Sequence, residues 1–184
     1  VRCHPKLAAY LTERPGTGCV QPIKSRAVTP TGRGYGLRAL FTPGQEDNQI
    51  SYFMRAQRTL FHGDTILGNS SSSIRNLKQY MASLELLARQ RPNLICPGHG
   101  QLVHDGAKRI QWYIDHRQAR EQQIIKALAA GSGTVDEVVK AVYPRNLRKN
   151  LRSAAARNVT THLAKLMEEG AVSQNAVTYS VNGA

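Results

Sequence analysis

Hydrophobic and polar positions along the middle of the chain follow two different periods. Short apolar runs at Thr59–Phe61 and Asn93–Cys96 are each followed by polar residues flanked by glycine, which is typical of buried strands. The residues between them predict one apolar face of a helix, because apolar side chains recur every three or four positions. These side chains are Ile74, Leu77, Tyr80, Met81, Leu84 and Leu87. The stretch is therefore predicted to form a βαβ crossover with two parallel strands.

The segment before this crossover is predicted to contain mainly short strands. A strand at Val1–Cys3 precedes a helical turn that Pro5 opens. Residues 14–36 are rich in glycine, proline and threonine, so they are predicted to be loop with one short strand. Three more strands are predicted, the last two as a hairpin, at Leu37–Phe41, Ile50–Met54 and Arg58–Phe61.

The segment after the crossover is predicted to form three helices and a hairpin. The helices span 107–129, the stretch from Thr134 to Pro144, and the stretch from Leu147 or Leu151 to Glu169. The last helix is predicted to bury Leu151, Ala155, Val159, Leu163 and Leu166. The hairpin strands are Ala171–Ser173 and Val177–Val181. This order of elements is the winged-helix arrangement. The Gly-Ser-Gly break at 131–133 divides the chain into domains 1–130 and 131–184.

Composition adds a strong positive charge to this picture. The 184 residues carry 25 Lys and Arg against 12 Asp and Glu, a formal charge of +13. Such an excess favours an anionic partner, most often nucleic acid. No apolar run is long enough to span a bilayer, so no membrane partner is expected. Cys3, Cys19 and Cys96 lack metal-type spacing and are predicted to be reduced thiols in an intracellular or organelle-matrix setting.

The basic residues concentrate in two regions, for which RNA contact is predicted. Residues 140–165 contain seven Lys and Arg but no Asp or Glu, and steps of four and three residues place Arg145, Lys149 and Arg152 on one helical face. The first region's predicted RNA-binding residues are Arg145, Arg148, Lys149, Arg152 and Arg157. In the second region they are Lys24, Arg26, Arg33 and Arg38, and those in the Gly/Pro-rich loop are predicted to form an irregular basic arm. Few aromatic residues accompany them, which favours backbone contacts to structured RNA over base stacking. The alternative is that both regions are solvated surfaces.

Two polar residues follow the predicted parallel strands and carry candidate chemistry. Asp64 and His99 lie at carboxyl ends of strands, where sites in open α/β sheets gather. A carboxylate and an imidazole are also typical metal ligands. The remaining histidines nearby, His62, His104 and His116, are predicted to be ordinary surface or helix-packing residues.

Four motifs together resemble the metallo-β-lactamase fold. They are Thr42-Pro-Gly-Gln45, Gly63-Asp-Thr-Ile-Leu-Gly68, Pro97-Gly-His-Gly100, and the run from His116 to Gln123. The branch they resemble is the endoribonuclease group that includes beta-lactamase-like protein 2, whose members carry a C-terminal winged-helix-like domain. The resemblance implies an α/β fold class: a partial αββα-type metallo-β-lactamase domain followed by an α+β winged-helix-like subdomain.

The resemblance also implies a di-zinc centre, against which this sequence can be compared. Asp64 matches the family's bridging carboxylate, and His99 matches its last histidine. Gln45 stands at a histidine position, Gln49 stands where this branch often has a second one, and the family's His-x-His-x-Asp-His loop is absent. Because catalytic zinc takes three protein ligands, no zinc cofactor is expected. Gln45, Asp64 and His99 are thus interpreted as vestigial metal-site positions.

Three hypotheses of function follow. The first is a non-catalytic, RNA-associated component of a ribonucleoprotein particle, with a mitochondrial ribosome in the matrix as the favoured setting. Its partners would be structured ribosomal RNA and proteins that cover exposed sheet edges. The second is a metal-dependent hydrolase or endoribonuclease whose missing zinc ligands come from another chain or an upstream segment. The third is a protein-binding subunit of a membrane or respiratory assembly.

Overall fold

The computed structural model describes residues 2–12, 21–32, 34–68 and 73–183. The chain forms two compact units, Val1–Ile114 and Asp115–Ala184. Elements of the first unit are β1 (Arg2–Cys3), α1 (Pro5–Thr12), β2 (Gln21–Pro22), β3 (Val28–Gly32), β4 (Tyr35–Phe41), β5 (Ile50–Met54), β6 (Thr59–Phe61), α2 (Leu77–Ala88), β7 (Leu94–Cys96) and β8 (Val103–His104). Helix α3 (Gly106–Ala129) crosses the division, and the second unit continues with α4 (Val135–Val142), α5 (Lys149–Glu168), β9 (Val172–Asn175) and β10 (Thr178–Val181).

The first unit is built on a six-stranded sheet with the order β3-β4-β5-β6-β7-β8. Its neighbouring strands are antiparallel, except that β6 and β7 are parallel and joined through α2. The predicted βαβ crossover is therefore confirmed. Strands β1 and β2 form a separate parallel pair.

Residues 21–32 are more regular than predicted. The described part of the predicted loop contains β2, β3 and the start of β4. Sequence reasoning missed β3 as part of a hairpin because it is an edge strand whose side chains are mostly exposed, so no apolar alternation marks it. Residues 14–20 and 33 of this segment lie outside the described residues.

The core of the first unit lies where α2 and the start of α3 pack on the sheet. The register aligns Phe53, Leu60 and Ile95 on adjacent strands, and all three are buried. Fully burying such a side chain contributes roughly 1.5–3 kcal/mol. The rest of this core includes Leu40, Ile66, Leu77, Tyr80, Leu84, Leu87, Ile110 and Tyr113.

Helix α2 begins three residues later than its apolar stripe suggests. Asn76 is the N-cap, and its side chain accepts a hydrogen bond of 2.9 Å from the backbone N–H of Gln79. Ile74 still packs against the core, although it precedes the helix. A polar cap therefore decides where the helix starts, while the apolar spacing extends past that start.

The second unit has its own core around α4, α5 and the end of α3. Thr134 and Glu137 form the predicted capping box at the start of α4. On α5 the predicted stripe is buried at Ala155, Val159, Leu163 and Leu166, but Leu151 is 47% exposed. Leu151 lies one turn before Ala155, the first buried residue of α5, so its turn projects beyond the core.

The predicted domain boundary and the observed division between the compact units lie at different residues. Sequence reasoning placed the boundary at the glycine break near residue 131, after α3 has ended. The compact units divide between Ile114 and Asp115, inside α3. Helix α3 thus supplies Ile110 and Tyr113 to the first core and Ile124 and Leu128 to the second.

Candidate functional site

Asp64 and His99 meet at the carboxyl end of the parallel strand pair. The register Leu60–Ile95 and Phe61–Cys96 brings β6 and β7 to an end at the same level. Beyond the strands, the N–H of His62 donates to the carbonyl of Cys96 at 3.2 Å, and that of Gly98 donates to Gly63 at 2.9 Å. These bonds keep the two loops together, and Nδ1 of His99 lies 2.7 Å from Oδ1 of Asp64.

The Asp64–His99 pair lies at the surface. The His99 side chain is 80% exposed and that of Asp64 is 37% exposed. An exposed pair of this kind contributes about 0–1 kcal/mol, so the fold does not depend on it. A Cβ atom at Gly98 would lie 3.0 Å from Oδ1 of Asp64 and 3.2 Å from the carbonyl carbon of Gly63. The close approach of the two loops therefore favours glycine at position 98, since a side chain there would push against Asp64 and the backbone of Gly63.

The loop that carries Asp64 is held from below by two buried tyrosines. The hydroxyl of Tyr80 on α2 donates to the carbonyl of Thr65 at 2.7 Å. The hydroxyl of Tyr113 on α3 donates to the carbonyl of Leu67 at 3.2 Å and accepts from its N–H at 3.0 Å. Both rings are fully buried, which makes the position of this loop part of the core packing.

Gln45 and Gln49 lie in a second loop, between β4 and β5. Gly44, with a φ of 127°, accepts hydrogen bonds from the N–H groups of Arg75 and Asn76 just before α2, and a Cβ there would overlap the backbone of Tyr80. This turn leaves Gln45 partly buried. The amide nitrogen of Gln49 lies 2.7 Å from the position of a Cβ atom at Gly63. Gln49 therefore contacts the loop that carries Asp64.

His62 is a site residue whose environment the sequence did not reveal. Its side chain is 5% exposed, and neither ring nitrogen has a hydrogen-bond partner within the described ranges. Burial lowers the pKa of His62 to about 4, although the nearby Asp64 acts in the opposite direction. Of the two predicted alternatives, a surface or a helix-packing residue, burial excludes the first for His62, whereas His104 is exposed and His116 on α3 is half-buried. The sequence feature that could have indicated this burial is the position of His62 between Phe61 and Gly63, directly after a buried strand.

The predicted basic surface at residues 145–157 is only partly helical. Arg145 lies in the turn before α5, Arg148 is the N-cap, and Lys149, Arg152 and Arg157 lie on the helix. All five are exposed. The prediction that Arg145 shares a helical face with the others is therefore wrong, because the helix begins after it. Arg145 and Arg152 nevertheless line one cavity of about 570 Å³, together with Lys140, Tyr143 and Leu147.

The predicted basic arm at residues 24–38 is also different in the structure. Lys24 and Arg26 are exposed in a turn that is hydrogen-bonded to β4, through the N–H of Arg26 and the carbonyl of Ala39 at 2.6 Å. This turn is therefore not an irregular arm, whereas Arg38 lies within β4, where a strand was predicted. Arg33 lies outside the described residues.

Comparison with known proteins gives matches in sequence. A family model described as the beta-lactamase associated winged helix domain matches residues 134–178. The Beta-lactamase-like protein 2 homolog of Drosophila melanogaster is 38% identical over 143 residues, which cover 76% of this chain and 48% of that protein. The homolog of the same name from Caenorhabditis elegans is 34% identical over 140 residues, with 76% and 47% covered. An atrochrysone carboxyl ACP thioesterase of Aspergillus fumigatus is 30% identical over 124 residues, with 61% and 39% covered.

Solved structures match as well. A metallo-beta-lactamase family protein from Thermus thermophilus is similar with a TM-score of 0.71 and 25% identity, over 89% of this chain and 55% of that one. A beta-lactamase domain protein from Burkholderia ambifaria has the same fold, with a TM-score of 0.78 and 19% identity over 89% and 53% of the two chains. The chain belongs to the metallo-β-lactamase superfamily. The predicted family and fold class are thereby confirmed.

The chain is shorter than the relatives that it matches. It spans about half the length of the curated relatives from fly and nematode, at 48% and 47% of each. The matched winged-helix region covers α4, α5, β9 and the first residue of β10. Within the described ranges, no helix is long and apolar enough to cross a membrane.

The residues described do not by themselves fit the di-zinc centre that the superfamily resemblance implies. Asp64 and His99 supply two ligands, and the described ranges contain no group of three or more His, Cys, Asp or Glu side chains that could hold a metal ion. Gln45 and Gln49 offer neutral amides, which are poor substitutes for imidazole. The arrangement is therefore one carboxylate–imidazole pair rather than a complete metal site.

Proposed function

We propose that the chain is a non-catalytic, RNA-associated member of the metallo-β-lactamase superfamily that binds structured RNA at the start of α5. The observation that carries this proposal is the exposed group of cations there, namely Arg145, Arg148, Lys149, Arg152 and Arg157. No salt bridge to any of the five is found in the described part of the chain. We refer to these residues as the α5 basic surface.

The position of these charges opposes helix stability. The start of a helix carries a partial positive charge, so each cation placed there costs roughly 0.3–1 kcal/mol. Helix α5 nevertheless has no acidic residue in its first turn, begins with Lys149, and has Arg148 as an N-cap without a side-chain capping bond. Helix α4, in contrast, has two acidic residues in its first turn, Asp136 and Glu137. A negatively charged partner would remove the cost at α5.

Phosphate groups are the partner that suits this surface. Arginine presents a planar set of donors that matches phosphate oxygens, and helix N-terminal N–H groups add further donors. In winged-helix proteins that bind nucleic acid, the last helix of the bundle meets the groove with its N-terminal residues. The exposed residues of the α5 basic surface are Arg and Lys with few aromatics nearby, which favours contact with an RNA backbone.

The proposed setting is a ribonucleoprotein particle in the mitochondrial matrix, with the organellar ribosome as first candidate. The charge of +13 and the family likeness support it. The edge strand β3 has mostly exposed side chains, which suits cover by neighbouring proteins. The non-catalytic role is supported by the incomplete donor set of Asp64 and His99.

The experiment reverses three charges of the α5 basic surface, as Arg145→Glu, Lys149→Glu and Arg152→Glu in one variant. RNA affinity is measured by fluorescence anisotropy with a structured RNA at several salt concentrations. We expect a loss on the order of 100-fold at 0.1 M salt, and a log–log salt slope smaller by roughly 0.7–0.9 for each phosphate contact removed.

The matched control for this variant reverses Lys6, Lys108 and Lys126, which changes the net charge by the same amount elsewhere on the chain. An equal loss in both variants would show that net charge alone binds RNA and would contradict the proposed surface. Ultraviolet crosslinking to RNA also separates this function from a purely protein-binding subunit, which would not crosslink.

A second candidate function is metal-dependent hydrolysis with ligands from an upstream segment or another chain. The observation that favours it is the contact of 2.7 Å between Asp64 and His99 at the strand ends, in a chain that spans about half of its relatives. Metal analysis of the natural protein, purified together with any upstream segment and associated chains, tests it. Stoichiometric zinc that is lost in His99→Ala would overturn the non-catalytic proposal, whereas equal trace zinc in that material and its His99→Ala variant would reject hydrolysis.

A further inference from the structure

Four arginines surround one cavity on the first unit, away from the Asp64–His99 pair. The cavity has a volume of about 390 Å³ and is lined by Arg38, Phe53, Arg55, Arg58, Arg89 and Gln90. We propose that this arginine cavity is a binding site for the phosphate group of a nucleotide. This site goes beyond the proposed RNA contact at α5, since none of its residues belongs to the second unit.

The fold assembles the cavity from four separate segments. Arg38 is opposite Phe53 in the β4–β5 ladder, and Phe53 is opposite Leu60 in the next, so these three side chains share one face of the sheet. That face packs against α2, whose C-cap is Arg89. Arg55 follows β5 in the turn that leads to β6, and Arg58 ends that turn. The sheet thus brings Arg38 beneath the end of α2.

Arg58 is held in place by the backbone. Its Nε donates to the carbonyl of Arg91 at 2.8 Å, and its Nη2 contacts the same oxygen. The N–H of Asn93 in turn donates to the carbonyl of Arg58 at 2.8 Å. The guanidinium of Arg58 is therefore pre-positioned at the cavity, which reduces the ordering cost when a ligand binds.

The positive charge of the cavity is poorly compensated by the protein. Arg89 has one acidic neighbour, with its Nη2 3.9 Å from Oε2 of the exposed Glu85. Among the described residues, no salt bridge reaches Arg38, Arg55 or Arg58. Four guanidinium groups around one cavity repel each other, and a bound phosphate would remove this repulsion through charge-assisted hydrogen bonds. Arg58 already uses Nε and Nη2 on the carbonyl of Arg91, so its Nη1 would remain for the phosphate.

An apolar groove continues from the arginine cavity and suggests what the phosphate is attached to. The groove has a volume of about 520 Å³ and shares Arg38, Phe53 and Arg55 with the cavity. Its other walls include Tyr35 and Val28, residues that are 44% and 58% exposed. A flat aromatic base can stack on an exposed tyrosine while its phosphate lies among the arginines. A nucleotide combines both parts.

The arginine cavity is distinct from the Asp64–His99 site. Strand β6 runs from Thr59 to Phe61, with Arg58 before its first residue and Asp64 three residues after its last. The two sites thus lie at opposite ends of the same strand. A ligand in the arginine cavity would bind without using Asp64 or His99.

Isothermal titration of the full chain with adenosine monophosphate, adenosine and inorganic phosphate tests the site. We expect the monophosphate to bind, and both adenosine and inorganic phosphate to bind at least about tenfold more weakly. Inorganic phosphate that binds as tightly as the nucleotide would overturn the nucleotide assignment. A single-stranded oligoribonucleotide distinguishes the source: tighter binding than the monophosphate indicates an RNA strand, and equal or weaker binding indicates a free nucleotide.

The variant Arg38→Gln/Arg55→Gln should weaken binding of the monophosphate by roughly tenfold or more, because two charge-assisted bonds are lost. Arg38→Lys/Arg55→Lys keeps the charge but not the forked donors, and it should lose most of the same affinity. Arg75→Gln is the matched control, since Arg75 is on the same unit but pairs with Glu46 at 2.9 Å. Unchanged affinity in both double variants would overturn the proposal.

Two further measurements distinguish a loss of nucleotide binding at the arginine cavity from unfolding and from binding at the α5 basic surface. Circular dichroism melting curves show whether Arg38→Gln/Arg55→Gln is still folded. If it is not, the affinity of Arg38→Lys/Arg55→Lys for the monophosphate tests the proposal. The α5 charge-reversal variant should retain its affinity for the monophosphate, because its substitutions lie in the other unit. A loss there would assign nucleotide binding to α5 and overturn the arginine cavity, whereas failure of α5 to bind RNA would leave the cavity untouched.

Discussion

The two ends of helix α5 carry charge in opposite ways. Near its C-terminal end, Nζ of Lys165 lies 2.8 Å from Glu121 and 2.7 Å from Glu169, and the Lys165 side chain is only 12% exposed. At its N-terminal end, Arg148, Lys149 and Arg152 are exposed. The described residues place no acidic partner beside these three. The first arrangement is explained by contacts within the fold, whereas the second leaves exposed cations that suit the anionic partner proposed above.

The paired end also contains the buried His162. Its side chain is 1% exposed, and its Nδ1 lies 3.9 Å from Oε2 of Glu121, which is an ion-pair distance but too long for a hydrogen bond. His162 and Lys165 together hold the pKa of Glu121 below its usual range. One carboxylate thus compensates two cationic or potentially cationic side chains inside the second unit.

The largest expected effect follows from removing that carboxylate. In Glu121→Ala, the largely buried Lys165 keeps only Glu169 as an acidic partner, and His162 loses its ion-pair contact with Glu121. Breaking a buried pair by removing one member typically costs about 3 kcal/mol. We expect the free energy of unfolding, measured by urea denaturation, to fall by this amount. In Glu169→Ala, which removes a 39% exposed partner, the loss should stay below about 1 kcal/mol. Equal losses of stability in the two variants would contradict the conclusion that Glu121 stabilises the protein more than Glu169.

The next effect is a loss of stability in mild acid. Burial first, and then Arg117 and Arg120 on α3, lower the pKa of His162 from 6.5, against the opposing influence of Glu121. The unfolded chain therefore binds a proton more readily, and stability should decrease as the pH falls below 6.5. Below 4.5, Glu121 adds to this loss, because its own pKa is lowered in the folded state.

The contribution of His162 is isolated by His162→Leu. Nearby His116 titrates in both proteins, and most of its contribution cancels in the comparison, because the larger causes of its lowered pKa are burial, Arg117 and Arg120, which the variant retains. Denaturation curves between pH 7.5 and 4.5 should therefore have a smaller pH dependence in the variant. Identical pH dependence in the two proteins would mean that His162 does not couple to folding.

Local patterns were enough to predict most of the fold. Strands β4 to β7 and helices α2 to α5 were expected close to their observed positions, because each has a buried face with a clear period. The exposed edge strand β3 has no such face, so one short strand was predicted in its segment without a position or a partner. Leu151 followed the α5 period but is exposed, since burial at a helix end depends on what lies opposite rather than on spacing.

The site was predicted less completely, for a related reason. Asp64 and His99 could be paired from sequence because parallel strands end at one edge of a sheet. The arginine cavity was missed, because Arg38, Arg55 and Arg89 are far apart in sequence and only the sheet register brings them together. The burial of His62 was missed too, because it follows a strand end and belongs to no periodic stripe. His162 does lie on the buried face of α5, three residues after Val159 and four before Leu166, but the predicted stripe contained only apolar residues.

A gain of stability is expected when the unpaired end of α5 is given an N-cap. Arg148→Asp places a carboxylate where the helix has no side-chain cap, which should stabilise the protein by about 1 kcal/mol. The same change should weaken RNA binding, because it replaces a cation of the α5 basic surface. Thermal melting and RNA anisotropy measured together test this opposition. Tighter RNA binding with the new cap would remove Arg148 from the proposed surface.

The smallest stability change is expected from removing cations without adding a cap. Lys149 and Arg152 are exposed, and neither forms a salt bridge with any described residue. In Lys149→Gln/Arg152→Gln, the free energy of unfolding should change by no more than about 0.5 kcal/mol. Its sign should be slightly stabilising, because two charges that oppose the helix dipole are gone. A loss of 2 kcal/mol or more, roughly the size of a broken buried interaction, would show that these cations serve the fold. The contrast between the two ends of α5 would then no longer indicate an external partner.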